Sequence, residues 1–259
     1  MCKLPKVPAG FPEFWDTAYA KHQVHFDASA ALQPLVNRIK QYAASETLHK
    51  MMRRITLVAA NSYGALITLV LNGYGNDAMK IARSIFEADL TVGYLLKHRD
   101  ELADYMDYHW IQQKELYDYM LKHNPEQARA VDRATVEELL RKRTDVAPRF
   151  KKYRGTWCRR SIRQMAEDLD EGMDQLYVTF YRWSSSMHHV SIGGLASQFE
   201  DETLDVDLAP SDKWLEDAFV AGFGSILRLV IMSNREFKLG LDNDIDHVYD
   251  MYRQAIKPS

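Results

Sequence analysis

The fifteen residues from Tyr177 to Ser191 (YVTFYRWSSSMHHVS) gather the side chains best suited to chemistry in this chain: an arginine, three consecutive serines and two adjacent histidines. Read as a regular helix of about 3.6 residues per turn, the segment sets Arg182, Ser185, Ser186 and His189 along one stripe. Tyr181, Ser185 and His188 lie along a neighbouring stripe. Adjacent helical residues point about 100° apart, so His188 and His189 do not face the same way. Imidazole takes or gives a proton near neutrality, and guanidinium grips phosphate with a fork of donors. Beside a ribose phosphate that pair suffices for metal-free cleavage. His189 handles the proton of the 2′-hydroxyl or leaving group, Arg182 steadies the developing charge, and Ser185 orients the imidazole from one turn away. The same residues inside a helix interface make a buried polar network, and the motif alone leaves both readings open.

A second constellation, Arg83-Ser84-Ile85-Phe86-Glu87, follows a Gly-rich turn. Arg83 and Glu87 are four residues apart on a helix and can pair. Glu87, flanked by Phe86, Ala88 and Leu90, is a candidate partner for a His or Arg elsewhere; an exposed ion pair is the plainer reading. A metal centre is not expected. A di-iron carboxylate bundle requires Glu-x-x-His on each of two helices, a pairing that does not occur, and neighbouring histidines are poorly placed to chelate one ion. No Walker or Rossmann phosphate loop is present, because Gly73-x-Gly75 follows a helix rather than a strand, and there is no Gly-x-Ser-x-Gly elbow. No cofactor is expected.

The elements that must hold these residues are helices. Twelve Gly and eight Pro leave long periodic runs, and no alternating segment bounded by turn signals reads as a strand. The spacing predicts an all-α protein, a single bundle of about eight or nine helices: 11–25, 28–42 with Pro34 near its first turn, 46–72, 77–98, 100–123, 124–142, 159–169, 172–192, 211–238 and a closing segment 242–257. Residues 144–158 read as a long loop around Pro148 and Gly155. Gly193-Gly194 is placed to stop the motif helix, 199–210 reads as an acidic surface loop, and Ser211 as the cap of the long helix after it. The whole chain, 1–259, is expected to be one domain, its core formed by 46–98 and 172–238, with 99–171 as an elaboration.

Bulk properties narrow the setting. A formal net charge of −3 excludes a global attraction to nucleic acid, so any such binding needs a local patch. Residues 141–163 hold ten Lys and Arg against one Asp, readable as a solvated loop and helix start or as a surface facing a polyanion. The two cysteines, Cys2 and Cys158, suggest no disulfide framework, and the first ten residues contain no apolar signal region. Residues 55–71 and 214–232 are apolar but interrupted by polar groups, and are expected as core helices rather than membrane spans. The setting these features favour is cytoplasmic.

Three groups of residues, Asp77-Ala78 with Arg83-Ser84, Glu87 and Tyr94-Leu95, then Trp157 with Ser161-Ile162-Arg163-Gln164-Met165-Ala166, then Tyr177, Tyr181, Ser185, His189 and Ser191, resemble in order and spacing the bacterial family called domain of unknown function 5677. The resemblance covers roughly residues 48–195. It implies an all-helical fold, brings no established activity, and singles out His189 over His188. Val190 stands where that family usually has a small residue or Pro. A looser resemblance is to HEPN (higher eukaryotes and prokaryotes nucleotide-binding) domains. These are helical bundles, many of them ribonucleases of toxin, defence or RNA-processing systems, marked by an Arg followed after four to six residues by His. Arg182 and His189 enclose six residues. That resemblance implies Arg182 and His189 as catalytic residues with Glu87 as a supporting acid, and a homodimer whose paired motifs face each other.

Two functions follow as expectations. One is a metal-independent ribonuclease in a toxin–antitoxin or antiviral defence role, with Arg182, His189, Ser185 and Glu87 at the reaction and Arg83, Tyr181, Ser186 and His188 binding. The other is a non-catalytic helical module in which the same cluster binds a nucleotide, RNA or a protein partner.

Overall fold

Apolar residues at helical spacing and the near absence of strand patterning leave the chain one way to bury its core, helix against helix. A computed structural model of the chain describes residues 10–151, 153, 156–169, 172–188 and 210–255. Among these there is no strand. The helices are α1 (Pro12–Lys21), α2 (Gln23–Gln41), α3 (Thr47–Leu71), α4 (Gly75–Lys97), α5 (Leu102–His123), α6 (Pro125–Ala130), α7 (Arg133–Phe150) and α8 (Ile162–Leu169), with a 3-10 turn at Arg99–Glu101. They continue as α9 (Met173–Leu176), a π turn (Tyr177–Tyr181), α10 (Arg182–His188), α11 (Leu215–Phe237) and α12 (Asp242–Ala255). The all-α expectation holds, with a few more elements than eight or nine. Two compact units emerge, one formed by Met1–Gly93 with Asp170–Ser259, the other by Tyr94–Leu169.

The first unit is built on the crossing of α3 and α11. Along α3, Leu48, Met52, Thr56, Ala59, Tyr63, Leu66 and Val70 are buried on one stripe. The two helices approach closely because Gly222 has no side chain: a Cβ there would lie 2.7 Å from Leu66 Cδ1. Thr56 and Ser233 meet within the same crossing, their hydroxyls 3.3 Å apart. By length and composition α3 is also long and apolar enough to cross a membrane. Helix α2 packs on α11 and α12, and the Tyr42 ring after it stacks on Phe237 at 4.3 Å. The Gly-rich turn between α3 and α4 reflects a close backbone approach. Gly73 has φ +72°, and a Cβ on Gly75 would collide with the carbonyl of Lys213. Asn72 completes the corner, its Oδ1 accepting from Phe11 N and Trp15 Nε1, both at 2.9 Å.

The second unit packs α5 against α6 and α7 around Tyr108, Val146 and Phe150. Much of its basic segment is engaged with carboxylates and aromatic rings. Arg149 pairs with Asp104 and Asp107, Arg160 with Asp168, and Arg141 with Asp145, while Lys142 lies over Trp110. Asp168 also holds His98 at 2.6 Å. Burial pushes the Asp168 carboxyl up, but the hydrogen bonds from His98 and Arg160 and the Arg160 charge prevail and hold it down to about 2.

Local signals and the fold disagree in four places. The predicted helix 11–25 breaks at His22, and the next begins at Gln23, so Pro34 sits inside α2 rather than in its first turn. Pro148 lies inside α7, which runs on to Phe150 through the predicted loop. An internal proline costs about 3 kcal/mol; burial of Leu32, Leu35, Val36 and Ile39 around the first, and of Val146 and Phe150 around the second, offsets it. The predicted helix 124–142 divides into α6 and α7, because Asp132 caps a new start by accepting from Thr135 N. Ser211 is not the cap of α11: Trp214, at φ 66°, holds that position without a side-chain bond. Gly193-Gly194 and the acidic stretch 199–209 lie outside the described residues.

At the start of α2 the buried rings of His22 and His25 flank Phe219. Burial lowers the pKa of both. Lys21 lowers His22 further while Asp212 and Glu216 oppose, and His22 lowers His25 while Glu216 opposes. An unfolded chain therefore takes up these protons first as pH falls. The stability contributed by the neutral pair is intact above about pH 6.5 and lost below it, at up to about 1.4 kcal/mol per pH unit for each ring. Urea unfolding at pH 7.5 and 5.5 should show this loss, and His25→Phe should shrink it; equal pH slopes for parent and variant refute the assignment.

Candidate functional site

Three sequence-predicted residues from distant parts of the chain meet in the first unit. The Arg83 Nη2 donates to the Tyr181 hydroxyl at 2.9 Å, and that hydroxyl donates to Glu87 Oε1 at 2.8 Å. Arg83 and Glu87 pair directly at 3.3 Å, one turn apart on α4. The guanidinium also lies 4.6 Å over the Tyr181 ring, where the ring's quadrupole attracts it. Arg83 is 16% exposed in its side chain and Glu87 41%, so the pair is half buried and not a surface ornament. Burial raises the Tyr181 pKa, with Arg83 opposing and Glu87 adding to the rise, so the phenol keeps its proton and donates to the carboxylate.

The backbone that delivers Tyr181 is irregular. The Arg182 N–H bonds back to the Tyr177 carbonyl, five residues earlier, closing a π turn. Such turns widen the helix by one residue and are frequent at functional sites. Here the turn stacks Tyr177 on Tyr181, ring centres 5.1 Å apart, and Phe86 of α4 lies against Phe180 and Tyr181 at 6.0 and 5.7 Å. The motif helix is thus pinned to α4 by aromatic contact and by the Arg83–Tyr181–Glu87 network.

Beyond the π turn, α10 carries the serine run. Ser184 is fully buried and donates to the Tyr181 carbonyl at 3.1 Å. Ser186 donates to the Trp183 carbonyl at 2.7 Å. Ser185 and Ser186 are half-buried, and Arg182 is exposed. Arg182 makes no ion pair among the described residues, unlike Arg83. The side chain of His188, and the whole of His189, lie outside the described residues. The predicted stripe is therefore present as Arg182, Ser185 and Ser186 on one regular segment, distinct from the group at Arg83, Glu87 and Tyr181.

One feature of this unit went unassigned by sequence reasoning: a cavity of about 560 Å³ walled by the motif helix, α11 and α12. Phe180 and Trp183 line it from the motif helix, Asp217, Val220 and Arg228 from α11, and Tyr252 from α12. The spacing Asp217, Val220, Ala221, Gly224, Arg228, Ile231 is one face of a helix, and two charges on an otherwise apolar face were the available signal.

Removing the Tyr181 hydroxyl isolates its contribution, since the ring contacts remain. Tyr181→Phe should lower the unfolding free energy by about 1–2 kcal/mol, the size of a hydrogen bond to a charged partner, as measured by denaturant unfolding. A variant as stable as the parent removes the anchoring role from the network.

The family model described as "Family of unknown function (DUF5677)" matches residues 49–206, more than half of the chain. No curated protein and no solved structure matches the chain significantly. The family match spans Arg83, Glu87, Tyr181 and Arg182 alike, and the chain belongs to the family of unknown function DUF5677.

Proposed function

We propose that this chain is a metal-independent ribonuclease acting as a homodimer on RNA. The observation that carries the reading is Arg182, an exposed guanidinium without an ion pair among the described residues, on a helix that a half-buried network holds in place. An exposed arginine on a fixed element, with Ser185 and Ser186 one turn on, suits the recognition of a phosphodiester. His189, the next turn of the same stripe in sequence, supplies the acid–base group. In the reaction its imidazole accepts the 2′-hydroxyl proton as the 2′-oxygen attacks phosphorus. The P–O5′ bond breaks, and the departing 5′-oxygen takes a proton from the same residue of a second copy. Arg182 balances the charge on the non-bridging oxygens. The products are a 2′,3′-cyclic phosphate and a 5′-hydroxyl. Glu87 and Arg83 act in this scheme through Tyr181, as positioning residues.

The cavity beside the motif helix favours a second reading, a non-catalytic module that holds a nucleotide or RNA without cutting it. One experiment separates the two. RNA is incubated in excess chelator with the parent protein, Arg182→Ala and His189→Ala, each checked for folding by circular dichroism. Cleavage leaving cyclic phosphate ends, reduced about 10²–10⁴-fold in both variants, is expected. Binding without cleavage by the folded parent rejects the nuclease in favour of the module.

A further inference from the structure

The cavity beside the motif helix has walls of a particular chemistry. Phe86, Phe180, Trp183, Tyr249 and Tyr252 give it aromatic faces, Asp217, with Glu216 beside it, places carboxylates on its lining, and Arg228, the cation there, is engaged by Asp89. Asp217 begins the α11 face whose next lining positions, Val220, Ala221 and Gly224, are small and leave room. A Cβ at Gly224 would already lie 3.3 Å from the Tyr252 hydroxyl. Trp183 is 42% exposed and Tyr249 46%, so both rings are open to a ligand. The motif helix supplies Leu176, Thr179, Phe180 and Trp183 to this lining, and Arg182 precedes Trp183 directly.

We infer that this cavity is a guanine pocket, the base-selecting subsite of the RNA site; the inference rests on the ribonuclease reading. A volume of about 560 Å³ is within the usual range for a small-molecule site and holds a nucleotide. Single-stranded bases are captured by stacking on aromatic rings and read along their Watson–Crick edges. Carboxylates repel phosphate and accept only from donors. Among the four RNA bases, guanine alone presents two adjacent donors on that edge, N1–H and the 2-amino group, which match the two oxygens of one carboxylate. Adenine and cytosine offer one amino group there, and uracil a single N–H between two carbonyls. Trp183 and its aromatic neighbours stack the base, Asp217 reads its edge, and the phosphate stays outside with Arg182, where its charge is matched.

The test titrates the protein calorimetrically with the 5′-monophosphates of guanosine, adenosine, cytidine and uridine. GMP should bind at least about tenfold tighter than the other three, the discrimination that one bidentate pair provides. Asp217→Asn, which exchanges an acceptor oxygen for a donor amide at equal size, should erase that preference without moving the melting temperature. Trp183→Ala should weaken all four nucleotides. GMP binding no tighter than AMP, or a preference that survives Asp217→Asn, overturns the pocket. The cleavage assay in chelator reads the other half independently. RNA cut without preference for G at the scissile step overturns the pocket and leaves the nuclease. Asp217-dependent GMP binding with no cleavage supports the pocket and overturns the nuclease.

Discussion

A carboxylate buried in an apolar helix face is tolerable only if a cation comes to meet it, and this requirement organises the first unit. Asp89 lies within the stripe Ala78, Ile81, Ala82, Ile85, Val92 of α4, and its side chain is 1% exposed. Arg228 interrupts the apolar run of α11. Each is an anomaly alone, and they answer each other: Arg228 Nε donates to Asp89 Oδ2 at 3.1 Å and approaches Oδ1 at 3.4 Å. A buried pair of this kind adds little net stability over apolar residues of the same shape, but breaking it by removing one partner costs about 3–5 kcal/mol. Its effect is therefore on register. Helix α4 cannot slide or rotate against α11 without stranding a charge in the core.

That register is inherited by the candidate site. Three residues before Asp89 on α4 is Phe86, and six residues before it is Arg83. With α4 fixed, the ring of Phe86 and the pair Arg83–Glu87 have fixed places, and they in turn hold Phe180 and Tyr181 of the π turn. Arg228 itself lines the cavity that α11 shares with the motif helix. One buried ion pair thus sets the backbone of the motif helix and the wall of the cavity together. The π turn adapts the two: its extra residue lets Tyr181 reach inward while Arg182, the next residue, faces water.

How much of this was legible in the sequence depends on the range over which the deciding physics acts. Helix type and approximate extent follow from local periodicity, and that part reads correctly from Thr47 to Lys97 and from Leu215 to Phe237. Helix ends fail where tertiary burial overrides a local signal, as at Pro34 and Pro148, or where a cap competes, as at Asp132. The Arg83–Glu87 pair is a contact between adjacent turns and was expected. Its third member, Tyr181, joins across 94 and 98 positions of sequence separation, which no helical period encodes; only the ordered motifs of a family hint at it. The π turn is invisible for a related reason, since YVTFY has nothing to distinguish it from an ordinary helical turn until both neighbours are packed. The basic run 141–163 misleads in the opposite direction. Composition counts its charges, but the fold decides that several are engaged with carboxylates on α5, α7 and α8.

The arrangement of charge around the motif helix also constrains what any ligand must look like. Residues 182 and 183 point about 100° apart, and their surroundings differ as sharply. Arg182 is exposed and lacks an acidic partner among the described residues, whereas Trp183 opens on a space whose lining carries Glu216 and Asp217, with its one arginine, Arg228, engaged by Asp89. A uniformly anionic ligand is repelled by the second environment, and a uniformly cationic one by the first. What fits both is a molecule with an anionic group and, one bond network away, a flat apolar body edged with hydrogen-bond donors. A nucleotide has that construction, and on the proposed reading the stripe takes its phosphate and the cavity its base.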